Sequence, residues 1–158
     1  EAIEAALRRN ISETEIAAFF EQNRETLWRI DLYGLRTRDK AEAEDIATRV
    51  RSGTANFHLE AMTRSRDEET ARRGGYLGRL WRPEVPEDIR MAVFSVDPGE
   101  VLGPFSMRHG HEIFLVARII EPTLEELREE IRDRLYMKLV HDIAARAVVF
   151  YPVFSEEG

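Results

Sequence analysis

Residues 112–120, Glu-Ile-Phe-Leu-Val-Ala-Arg-Ile-Ile, are the most apolar stretch of the chain. β-Branched and aromatic residues dominate it. A turn-like His109-Gly110-His111 precedes it and Glu121-Pro122-Thr123 breaks it, so the run reads as a strand. At its mouth stands Glu112, either as a solvated strand end or as part of a site.

A second constraint is helix punctuation. Ala2–Arg9 puts Ile3, Ala6 and Leu7 on one face and ends near Asn10, a residue suited to a C-terminal cap. Ser12 with Glu15 three residues on is a capping box, preceded by Ile11, and predicts an amphipathic helix over 13–26 through Ile16, Phe19 and Phe20. Asp39 with Glu42 predicts a second, carrying Ala43, Ile46, Ala47 and Val50 and stopping at Gly53. Thr123 with Glu126 predicts a third, about six turns long, with Leu124, Leu127, Ile131, Leu135, Leu139 and Ile143 along one side. Its length suits packing against the N-terminal helices, and the apolar tail Phe-Tyr-Pro-Val-Phe after it suits docking.

Between these lie a first strand over 28–36, a short helix around Phe57, Leu59 and Met62, and a charged loop over 66–74. The glycine-rich Gly-Gly-Tyr-Leu-Gly of 74–78 follows, then a helix after Pro86, a turn at Asp97-Pro98-Gly99, and a short extended piece over 101–105. The reading is β-α-α-β-α-β flanked by helices, an α+β fold. Its segments are an N-terminal helical part (1–27), a middle domain (28–120) and a C-terminal helix and tail (121–158).

Composition narrows the function. With 43% hydrophobic and 34% charged residues over 158 positions, the chain is long enough for one domain with a core. A net charge of −7 argues against a nucleic-acid partner, which needs a basic face. No apolar run approaches the ~20 residues of a bilayer span. The absence of cysteine excludes disulfides, thiolate metal sites and a cysteine nucleophile. The chain begins with Glu rather than Met, as a mature form or an excised piece does, which leaves bacterial cytoplasm and cell envelope both open.

Three stretches, 55–78, 89–105 and 109–119, together resemble the parvulin-type peptidyl-prolyl cis-trans isomerases. The resemblance covers residues 28–120, with Gly74, Gly75, Leu77, Gly78, Ala92, Phe94, Gly99, Glu100, Val101, Pro104 and Gly110 in register. It implies a small antiparallel sheet with surrounding helices, and the flanking helices look like those of bacterial foldases. Asp67 falls where the family has Cys or Asp. The first-strand histidine position falls at Leu32 or Tyr33, and the last-strand histidine position is Glu112. The family's Met and Phe pocket positions map onto Val85 and Ile89, both smaller and non-aromatic. Phe94 and His111 complete the implied substrate contacts.

The resemblance implies a catalyst of rotation about Xaa-Pro bonds in unfolded or extended polypeptide, assisting folding or maturation, with no cofactor. Asp67 and Glu112 are the candidates for the site, and if they converge, like charges favour proton uptake by one of them. His109, His111 and Glu112 have a metal-like spacing, but a ligand set scattered around a turn glycine is better read as two turn histidines, so no metal is expected. The rival function is a peptide-binding chaperone on the same fold with little isomerase activity. A third reading is homo-oligomerisation through the terminal helices and tail.

Overall fold

The computed structural model describes residues 1–148; the tail singled out above lies outside the described residues. The chain separates into two compact units, Glu25–Glu121 and a helical unit of Glu1–Arg24 with the chain from Pro122 onward.

In the larger unit the apolar run becomes β4 (Gly110–Ile120), the longest strand of a four-stranded antiparallel sheet. Its partners are β1 (Arg29–Thr37), β2 (Tyr76–Trp81) and β3 (Val101–Met107), in the order β2-β1-β4-β3. The Gly-rich segment therefore leads into an edge strand, and the extended piece after Gly99 is a full strand reaching Met107. Alternation assigns the side chains of β1 to two faces. Leu35, with Ile113 and Val101 of neighbouring strands, packs against Ala43, Ile46 and Ala47 of α3 (Lys40–Arg51) and Phe57 and Ala61 of α4 (Phe57–Arg64). Ile30 and Leu32, with Phe114 and Val116, pack against Val85, Ile89 and Val93 around α6 (Glu87–Val93).

Bulges modulate this alternation. The β1–β4 register shifts between Asp31 and Leu32, and the β1–β2 register between Leu32 and Tyr33. The stretch expected as a charged loop contains one helical turn, α5 (Glu68–Ala71), because the Asp67 carboxylate accepts the Thr70 N–H (3.3 Å). The glycines before β2 have a specific use. Gly75 has φ +88°, and a Cβ there would stand 2.6 Å from the Gly34 carbonyl oxygen. Gly34 in turn donates its N–H to the Gly75 oxygen (2.8 Å), so the approach of β2 to β1 requires a residue without a side chain.

The helical unit contains α1 (Ala2–Arg9), α2 (Glu13–Asn23) and α7 (Leu124–Val148). The Ser12 capping box forms as read, and its hydrogen bonds hold the Glu15 carboxyl below the usual range. α2 ends at Asn23, short of the expected residue 26, and a 3₁₀ turn over Arg24–Leu27 leads to β1. Both α1 and α2 pack on α7. Ile16 and Phe20 of α2 and Leu127 and Ile131 of α7 are buried, while Arg132 reaches Glu13 at 2.7 Å and Arg8 reaches Asp133 at 3.0 Å.

Candidate functional site

The sheet face that carries α6 holds a cavity of about 390 Å³. Leu32 of β1, Leu77 and Leu80 of β2 and Phe114 of β4 make its apolar floor, and Pro86 and Ile89 form one wall. The β3–β4 hairpin closes another side with Met107, Arg108 and His109. Charge enters at one end only in an ordered form: Arg36 and Glu112, directly opposite each other across β1 and β4.

Arg36 is fixed from several directions. Its backbone N–H donates to Ser65 Oγ (3.2 Å), and its carbonyl accepts the Arg66 N–H (2.8 Å), so residues 65–67 are laid along the end of β1. Ser65 Oγ also accepts the Asp67 N–H (3.3 Å), which turns that segment back toward the strand. The Arg36 side chain donates through Nε to Glu112 Oε1 at 2.7 Å, and Nη2 lies 3.7 Å from Asp67 Oδ2. The Glu112 side chain is only 13% exposed, so an unpaired charge there would be costly; the guanidinium supplies the partner.

Asp67 and Glu112 are therefore brought together, but around a cation. The expectation of two carboxylates facing each other changes in kind: Arg36 stands between them, and the two anions compensate it rather than repel one another directly.

The other candidates divide by face and depth. Leu32 and Ile89 border the cavity. Tyr33, the alternative to Leu32, lies across the sheet, edge-on to the His58 ring (centroids 4.7 Å apart) and beside Tyr76. His111 precedes Glu112 on β4 and so points to the face opposite Glu112, where its Nδ1 lies 3.3 Å from Ser106 Oγ. His109 is on the cavity, so the two histidines do not converge. Val85 is completely buried in the packing behind the cavity. Phe94 packs against the same cluster, with the Arg82 guanidinium 5.1 Å from its ring centre.

Sequence reasoning did not single out Leu77, Leu80, Phe114, Met107 or Arg36 for the site. Alternation along β1 from Leu32 through Gly34 to Arg36 was the available signal for the arginine. Leu77 was hidden inside a glycine motif that reads as a turn. A larger cavity, about 490 Å³, lies on the α3–α4 face beside Arg51, His58, Glu100 and Leu115, and contains none of the candidates. The apolar cavity with one ordered ionic edge is the better site, because it combines an apolar surface with a few fixed polar groups.

Residues 35–118 match the family model described as Rotamase: PPIC-type PPIASE domain. The chain is 28% identical over 125 residues to foldase protein PrsA of Halalkalibacterium halodurans, covering 79% of this chain and 37% of that protein. It is 37% identical over 81 residues to peptidyl-prolyl cis-trans isomerase pin1 of Schizosaccharomyces pombe, covering 49% and 46% respectively. The chain thus spans less than half the length of these curated relatives. The crystal structure of the peptidylprolyl isomerase PrsA from Bacillus anthracis superposes with a TM-score of 0.58 at 19% identity, over 85% of this chain and 59% of that one, a likeness of fold.

Proposed function

Because the chain belongs to the PPIC-type rotamase family, we propose that residues 28–120 are a prolyl isomerase module acting on Xaa-Pro bonds in unfolded or extended polypeptide. In this reading the segments 1–27 and 121–158 belong with it to a factor that assists folding or maturation. The observation that carries the reading is the apolar cavity with Arg36, Glu112 and Asp67 ordered at its edge.

Rotation of a prolyl amide breaks no bond between heavy atoms and faces a barrier of ~20 kcal/mol. A protein lowers it only by binding the twisted state more tightly than either planar one. At the twist conjugation is lost, so the nitrogen gains basicity and the carbonyl oxygen loses charge. Leu32, Leu80, Ile89 and Phe114 offer the proline ring a surface free of competing hydrogen-bond groups, and the volume falls in the roughly 300–1,000 Å³ range of small-ligand pockets. No proton has to be transferred, so the chemistry does not depend on an imidazole.

Magnetisation-exchange NMR on short Xaa-Pro peptides tests this directly. Uncatalysed exchange takes roughly tens to hundreds of seconds, so even weak acceleration is measurable. Faster exchange in the presence of the full chain supports the isomerase. The second reading, a peptide-binding chaperone on the same fold, is favoured by the family resemblance, which puts Leu32 or Tyr33 and Glu112 at positions where it implies histidines. Peptide binding without faster exchange establishes that reading instead.

A further inference from the structure

We propose that the Arg36 guanidinium is the group that acts on the substrate, with Glu112 and Asp67 as positioning residues; this rests on the isomerase reading above. The twisted state presents a more basic nitrogen, which calls for a hydrogen-bond donor. Ionised carboxylates only accept, so neither Glu112 nor Asp67 can serve it in that form. A guanidinium has five N–H donors in a rigid plane and keeps its charge throughout the accessible pH range.

The geometry favours Arg36 over the other donors on the cavity. Arg108 and His109 sit on the exposed turn between β3 and β4, and neither is held there by a carboxylate among the described residues. Arg36 lies on a central strand, and its side chain is three-quarters buried. Glu112 takes Nε and Asp67 faces Nη2, which sets the plane of the group, while Nη1 makes no hydrogen bond to the described residues. A donor whose orientation is fixed before substrate arrives costs little reorganisation at the twist, which is the condition under which such a bond favours the transition state. The two carboxylates that the resemblance put at the site thus act through the arginine.

The test uses the full chain and an Ala-Pro-containing tetrapeptide, with exchange rates measured across peptide concentrations to separate kcat from KM. Arg36→Ala is expected to lower kcat by about ten- to a hundredfold, below the roughly hundred- to thousandfold seen for losing a donor in an enclosed site, with KM changed by less than about twofold. Glu112→Gln is expected to lower kcat by a smaller factor, and the double variant to be no worse than Arg36→Ala alone. Free guanidinium added to Arg36→Ala restores part of kcat, which a purely structural loss would not allow. Wild-type kcat in Arg36→Ala overturns the proposal and leaves the isomerase reading standing, as does a rise in KM with kcat unchanged. If Arg36→Ala does not fold, Glu112→Gln decides: reduced kcat at unchanged KM supports the proposal and unchanged kcat overturns it. If the wild-type chain does not accelerate exchange, the isomerase reading fails and this proposal with it.

Discussion

Arginine–carboxylate contacts occupy both faces of β1. On the cavity face Arg36 meets Glu112 and Asp67. On the α3–α4 face Asp31 is clamped by Arg79 from the neighbouring strand, through Nε–Oδ1 at 2.8 Å and Nη2–Oδ2 at 2.9 Å. The Arg79 hydrogen bonds are the main cause of a lowered Asp31 pKa, aided by the charges of Arg79, Arg118 and Arg29, while burial acts the other way. A lowered folded-state pKa stabilises the fold above the unfolded value, here 3.8, and that contribution is lost as pH falls through the lowered one. Asp31→Asn is therefore expected to cost about 1–2 kcal/mol in urea unfolding near neutral pH, because Arg79 is partly exposed and the pair is only half sheltered. The difference from wild type should hold from neutral pH down to about 4 and shrink below it. A gap that persists undiminished near pH 2 would contradict the assignment. At this scale the family resemblance drew attention to Asp67 and Glu112, whereas the contact of Arg36 with Glu112 was not readable, because the two are 76 residues apart in the chain.

Elements were legible in proportion to how local their causes are. The Ser12 capping box depends on residues three apart, and it formed as read. Replacing Ser12 with Ala removes the acceptor for the Glu15 N–H and is expected to cost about 1 kcal/mol, measurable in the thermal unfolding of the full chain. The second strand of the β-α-α-β-α-β reading is the edge strand β2, and its glycines serve both the turn before it and its approach to β1. Gly75→Ala tests that second use: positive φ costs a side chain about 1–2 kcal/mol, and contact with the Gly34 oxygen adds to it. We expect at least about 2 kcal/mol of destabilisation, with broadened amide signals along β1 and β2. Strand faces were the least legible feature. A single inserted residue moves every later side chain to the other face, and β1 carries a register shift toward each of its neighbours. One residue of slack in the family resemblance left Leu32 and Tyr33 as alternatives, and the same resemblance put His111 at a groove that Glu112 borders instead.

At the scale of the molecule, the cavity is made by the sheet and not by any one segment. The rotamase scaffold of glycines, bulges and apolar strands persists with an arginine–carboxylate cluster beside the cavity. Its floor is assembled from Leu32, Leu77, Leu80 and Phe114, drawn from three strands that converge only when the sheet closes. Local patterns identify such residues as apolar but cannot say which of the two sheet faces they will line. The central claim, catalysis on the α6 face of the sheet, is tested most directly in one NMR sample by recording amide shifts and cis/trans exchange as an Ala-Pro peptide is titrated into the full chain. The account predicts faster exchange together with shifts concentrated at Leu32, Arg36, Leu80, Ile89 and Phe114. Faster exchange with shifts confined to Tyr33, His58 and Leu115, on the opposite face, would contradict it.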